Sequence, residues 1–106
     1  MHHIKIKENT LIARIAAFLL KKHRIATVIN STIFLYNASS EELTTNKKWL
    51  LHELKHVEQF RRYGTVRFLF LYLIESVRVG YSNNKFEVEA RNAESDESLL
   101  GEYIIR

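Results

Sequence analysis

Lys47-Lys48-Trp49-Leu50-Leu51-His52-Glu53-Leu54-Lys55-His56-Val57-Glu58-Gln59-Phe60-Arg61-Arg62 sets the organisation of this chain. At about 100° per residue it forms an amphipathic helix. Trp49, His52, Glu53, His56 and Phe60 share one stripe, with Leu50, Leu54 and Val57 beside it. Lys47, Lys48, Lys55, Glu58, Gln59 and Arg62 fall on the opposite side. His52 and His56 stand one turn apart on the inward arc, so both imidazoles can aim at one point. Buried neutral imidazoles need partners, and a metal ion satisfies both at once. Glu53 directly follows the first of them. In H-E-x-x-H that carboxylate does not bind the metal but takes a proton from the metal's water. The pattern therefore predicts a site for one zinc ion, with His52 and His56 as ligands and Glu53 as general base.

A catalytic zinc takes a third protein ligand and keeps a fourth position for water. The candidates lie in Asn83-Asn84-Lys85-Phe86-Glu87-Val88-Glu89-Ala90-Arg91-Asn92-Ala93-Glu94. Asn83 or Asn84 can cap a helix there. Phe86, Ala90 and Ala93 point inward, and Glu87 and Glu89 flank them on opposite sides. Periodicity does not choose between the two carboxylates.

His52-Glu53-x-x-His56 followed by Glu87-x-x-Ala90 resembles the gluzincin metallopeptidases, which pair H-E-x-x-H with E-x-x-A on a later helix. Leu50 to Ala93 is also similar to a set of small bacterial zincin-like domains. Their H-E-L-x-H-V-x-Q run, R-x-x-G turn, apolar helix and N-x-x-E-x-E-A-R segment match His52-Glu53-Leu54, His56-Val57, Gln59, Arg61, Gly64 and Asn84 to Arg91 in order. The resemblance implies Glu87 as third ligand, with Glu89 the fallback. It also implies a zinc metallopeptidase acting on a peptide or protein. Membrane-type gluzincins continue E-x-x-A-D, and Arg91 stands where that Asp would be.

The rest of the chain predicts a frame around this helix. Its 106 residues bound it to one domain, 1-106, and 46% apolar content supports a folded core. The net charge of +4 is dispersed and carries no recognition spacing, so nucleic acid is not an expected partner. Cysteine is absent, which excludes disulfides and thiolate metal sites. No signal-peptide pattern is legible, and the expected compartment is cytoplasmic.

Residues 1–9 are polar, and His2 and His3 stand outside the expected site. Thr10 to His23 reads as an amphipathic helix capped by Asn9 or Thr10. Ala26 to Ile29, Asn30-Ser31 and Thr32 to Tyr36 read as a β-hairpin. Thr32, Ile33, Phe34, Leu35 and Tyr36 are the expected edge strand to which an extended substrate adds. Asn37 to Asn46 is a polar loop. Thr44, Thr45 or Asn46 caps the active helix, and Gly64 ends it.

Thr65 is expected to cap Val66 to Val79. Its run Phe68–Ile74 is shorter than the about 20 residues of a bilayer span, so it predicts a buried helix or a homo-oligomer or partner interface over 66-79. Glu75 pairs with Arg78, Arg67 or a ligand imidazole. Tyr36, Tyr72 and Tyr81 are possible oxyanion stabilisers, Tyr81 being nearest in sequence to the third-ligand helix. Leu99 to Ile105 is a docking tail. The expectation is an α+β, minimal zincin-like domain, mostly helical, with a small β-hairpin beside the active-site helix. Its expected function is a zinc metallohydrolase; the alternative is a zinc-binding, non-catalytic interaction domain.

Overall fold

The computed structural model describes residues 2–105. It is an α+β arrangement, mostly helical, with one small sheet. The elements run β1 (His2–Lys7), α1 (Leu11–Leu20), β2 (Ile25–Ile29), β3 (Thr32–Tyr36), α2 (Ser40–Thr45), α3 (Lys47–Tyr63), α4 (Thr65–Val79), α5 (Lys85–Asn92) and β4 (Tyr103–Ile105). Two 3-10 turns, Ala93–Ser95 and Glu97–Glu102, join α5 to β4.

The sheet has the order β2-β3-β1-β4. The hairpin β2–β3 is antiparallel with Ile29 opposite Thr32, and Asn30 turns the corner at a φ of 57°. β1 lies parallel to both β3 and β4. The polar start of the chain and its tail therefore both join the sheet, which is larger than a hairpin. Alternation then sorts the side chains. Ile4, Val28, Ile33 and Leu35 face α3 and its Leu50, Leu51, Leu54 and Val57. Phe34, Tyr36 and Ile25 face Ala13 and Ala17 of α1.

This order overturns one expectation. Thr32 to Tyr36 is not an edge strand, because β1 occupies its far side, pairing Lys5–Lys7 with Thr32–Phe34. The outer strand next to α3 is β2.

Local chemistry explains the helix ends. Thr10 accepts from the Ala13 amide and starts α1. Ser39 and Glu42 form a reciprocal capping box that makes α2 a helix rather than a loop. Asn46 ends α2 and caps α3 through the Trp49 amide. Gly64 at a φ of 84° turns the chain from α3 into α4, a region that costs glycine little. Thr65 does not cap α4; its hydroxyl donates to Asn30 Oδ1 instead.

α4 is not a buried helix. Only Phe68 and Glu75 are buried, while Val66, Leu69, Phe70, Leu73, Ile74 and Val77 are exposed. No helix among the described residues is long and apolar enough to cross a membrane.

Phe68 belongs to an aromatic cluster that fixes three helices around one end of the molecule. Its ring lies 4.6 Å from Phe60 of α3 and 5.0 Å from Phe86 of α5, both edge-on, the favoured geometry for such pairs. His52, Tyr72 and Glu87 sit on these same three helices.

Candidate metal centre

His52, His56 and Glu87 each bring one ligand atom within 4.8 Å of the others, so the three can together hold a metal ion. Helical spacing places the two histidines: their ring centroids are 5.1 Å apart. Glu87 arrives from α5, and its entry is held by α4. Asn84, fully buried, caps α5 through the Phe86 amide at 2.8 Å. Its amide donates to the Tyr72 carbonyl at 3.1 Å and to Ser76 Oγ at 2.8 Å. Glu75 accepts from the Lys85 amide at 3.2 Å and pairs with Arg78 at 3.2 Å, so it serves this junction and not an imidazole. Asn84→Ala removes a helix cap and strands buried groups, a loss of about 2 kcal/mol. Chemical denaturation reads that loss, and metal affinity falls with it as Glu87 loosens.

The far nitrogen of each imidazole is engaged. His52 Nδ1 lies 2.9 Å from Glu94 Oε2, and His56 Nδ1 lies 2.8 Å from Gln59 Oε1. Gln59 Nε2 donates to the Phe86 carbonyl at 3.0 Å and to Glu89 Oε1 at 2.9 Å. That fixes its amide orientation, so its oxygen faces His56. Both Nδ1 atoms therefore meet acceptors and carry protons. Such partners fix the tautomer and aim the other nitrogen.

The near nitrogens then face Glu87. His52 Nε2 is 3.1 Å from Oε1, and His56 Nε2 is 3.2 Å from Oε2. Two lone pairs and a carboxylate cannot share this space without positive charge between them. Protons supply it here. Burial alone would lower His52, but the Glu87 hydrogen bond, the Glu53 charge and the Glu94 bond outweigh it and bring it up to about 9. His56 is raised by the same competition, with Glu87 again the main opponent of burial. Burial would raise Glu87, yet the two histidines hold it well below the usual carboxylate range. One dication can replace those protons, and this donor chemistry is what fits the residues to a metal. Binding therefore releases protons. Affinity for a divalent ion rises with pH until His52 has titrated at about 9 and then levels. Titration calorimetry in buffers of different ionisation enthalpy checks the proton release.

Glu53 is buried, 5% exposed, on the wall beside the two histidines. Burial pushes its carboxyl up to about 7, against the lowering charges of His56 and His52. Tyr72 donates to Glu87 Oε2 at 2.5 Å, and burial followed by the Glu87 charge pushes its phenol far up. Tyr81 lines the same recess, and burial and Glu87 push its phenol up as well. Tyr36 lies away, against α1. The fallback ligand Glu89 is not part of the cluster: it accepts from Gln59 and lies 3.9 Å from Arg62.

Two residues escaped the sequence reading. Periodicity puts Gln59 on the outward side, but it is completely buried because α5 packs over that flank of α3. Glu94 stands seven residues after Glu87, two turns on, and that spacing was its available signal. Arg91 turns away to the Ser82 carbonyl.

The chain matches no protein-family model, no curated protein and no solved structure.

Proposed function

We propose that this protein is a zinc-dependent metallohydrolase, and within that class a peptidase, of the minimal zincin type its motifs resemble. One observation carries the reading. Three ligand-capable groups converge beside a buried carboxylate, Glu53, on the wall of a recess of about 370 Å³. His52, His56 and Glu87 would hold the zinc, which would supply Lewis acidity and lower the pKa of a water to about 7. The remaining steps belong to side chains. Glu53 takes a proton from the attacking water and returns it to the leaving nitrogen. Tyr81, its phenol kept protonated, donates to the oxyanion as charge develops. Glu94 and Gln59 hold the imidazoles in register. The cysteine-free composition fits a cytoplasmic setting. The test is incubation of the zinc-loaded protein with a mixed peptide library. Cleavage that stops on chelation and returns with zinc supports the reading, and no cleavage at stoichiometric zinc defeats it.

A second reading, a zinc-holding interaction domain without turnover, is favoured by the exposed face of α4. Phe70 is 62% exposed and Leu73 61% exposed, in an apolar stripe of the kind that marks contact surfaces. On that reading a second copy or a partner protein covers this stripe. Phe70→Lys then lowers self-association in light scattering without changing the circular dichroism spectrum. A wild type that stays monomeric at every concentration excludes the second copy.

A further inference from the structure

The metal centre opens into two recesses of opposite character, joined along β2. The first, about 370 Å³, is apolar away from the metal ligands: Ala16, Leu20, Val28, Phe68 and Leu69 line it. The second, about 660 Å³, is rimmed by Lys22, Arg24 and Lys48 with Trp49 as a wall. Both include Ile25, Ala26, His52, Glu53 and Tyr81. The two recesses therefore meet at His52 and Glu53, while His56 and Glu87 line the first. β2 is the outer strand of the sheet, with no strand on its far side among the described residues. An extended chain laid along that edge, at about 3.3 Å per residue, crosses from one recess into the other.

The basic recess has charge to offer. Neither Lys22 nor Lys48 has a carboxylate partner among the described residues; Lys22 Nζ sits 5.4 Å from the centre of the Tyr81 ring. Arg24 stacks on Trp49 at 4.8 Å and shares its guanidinium with Glu42 at 3.1 Å. The carboxylates that reach this recess are Glu94, taken up by His52 at 2.9 Å, and the buried Glu53. The rim is left with uncompensated positive charge.

We infer that the cleft takes an extended peptide bearing a carboxylate on the Lys22–Lys48 side of the metal and an apolar side chain on the Leu20–Leu69 side. This rests on the metallohydrolase reading for the position of the scissile bond. It does not rest on it for binding, because the β2 edge and both recesses are present without a metal. The carboxylate is an Asp or Glu side chain or the chain terminus.

The test is fluorescence anisotropy with labelled peptides and the full-length Glu53→Gln protein, which removes the proposed base, with zinc content measured in each sample. Peptides carry Leu and Asp three positions apart, in both chain orders. Each has an Asp→Lys counterpart, and each is made with a free and an amidated C-terminus. The Asp peptide is expected to bind about tenfold tighter than its Lys counterpart in one chain order. Adding Lys22→Glu and Lys48→Glu is expected to abolish or reverse that ratio, and Lys22→Ala and Lys48→Ala singly to give part of the loss. Loss of affinity on amidation rather than on Asp→Lys assigns the carboxylate to the terminus. Equal binding of Asp and Lys peptides with no loss on amidation, or a carboxylate preference unchanged in the Glu variants, overturns the inference even with zinc present. A charge preference without any zinc sustains it and sinks the metal reading instead.

Discussion

Glu53→Gln is expected to leave the zinc in place and lower kcat by about 10²–10⁴-fold, the range general bases contribute. The change keeps volume and hydrogen-bonding reach and removes only the ability to hold a proton. Glu53 is not a member of the ligand cluster, so metal content has no reason to fall. Its burial brings the carboxyl up to about 7, near the pKa that suits a group which must both accept and return a proton near neutral pH. Measuring kcat and zinc content on the same preparation separates the base from the ligands. Turnover that survives the change removes Glu53 from the mechanism.

Loss of a bound zinc is expected to have the second large effect, on stability. A ligand held at a thousandfold its Kd stabilises the native state by about 4 kcal/mol. For a domain of this size each kcal/mol moves Tm by about 4–8 °C. Chelation is therefore expected to lower Tm by about 15–30 °C in the presence of such an excess of zinc, and His56→Ala to abolish the zinc-dependent increment. The metal-free protein is expected to fold still, because Glu87 and the histidines neutralise one another at 3.1 and 3.2 Å. That residual contribution depends on pH in a defined direction. His52 is raised from 6.5 to about 9 in the folded chain. Its contribution is fully present below about 6.5 and is lost as pH rises through about 9. Thermal denaturation of the chelated protein between these limits follows that loss, and the zinc-loaded protein lacks this dependence because its imidazole nitrogens carry no such proton.

The histidine pair was legible because four-residue spacing on a helix is a local rule, and α3 obeys it. Which carboxylate of α5 faces the histidines was not legible from periodicity. Glu87 and Glu89 flank the inward face of α5 symmetrically, and the rotation of that helix is set by Asn84, Glu75 and the Phe68–Phe86 contact, all long-range. The resemblance to gluzincins named Glu87, and the structure brings Glu87, not Glu89, to the histidines.

The hairpin was legible from β-branched and aromatic residues flanking Asn30. Its edge was not, because β1 is a mostly polar strand whose parallel partners lie far along the chain. Inserting β1 beside β3 moved the free edge to β2. Burial of α4, one of its two expected roles, fails for the opposite reason. An apolar run reads as buried whichever side it presents, and only the packed arrangement reveals that most of this one faces outward.

His52, His56 and Glu87 are proposed to hold one zinc ion. Elemental mass spectrometry of the purified protein, free of any affinity tag and with His2 and His3 replaced, tests it most directly, beside His56→Ala, Glu87→Ala and Glu89→Ala. About one zinc per chain is expected in the parent and in Glu89→Ala, and little in the other two. No zinc in the parent after reconstitution, or full zinc in Glu87→Ala, would contradict it.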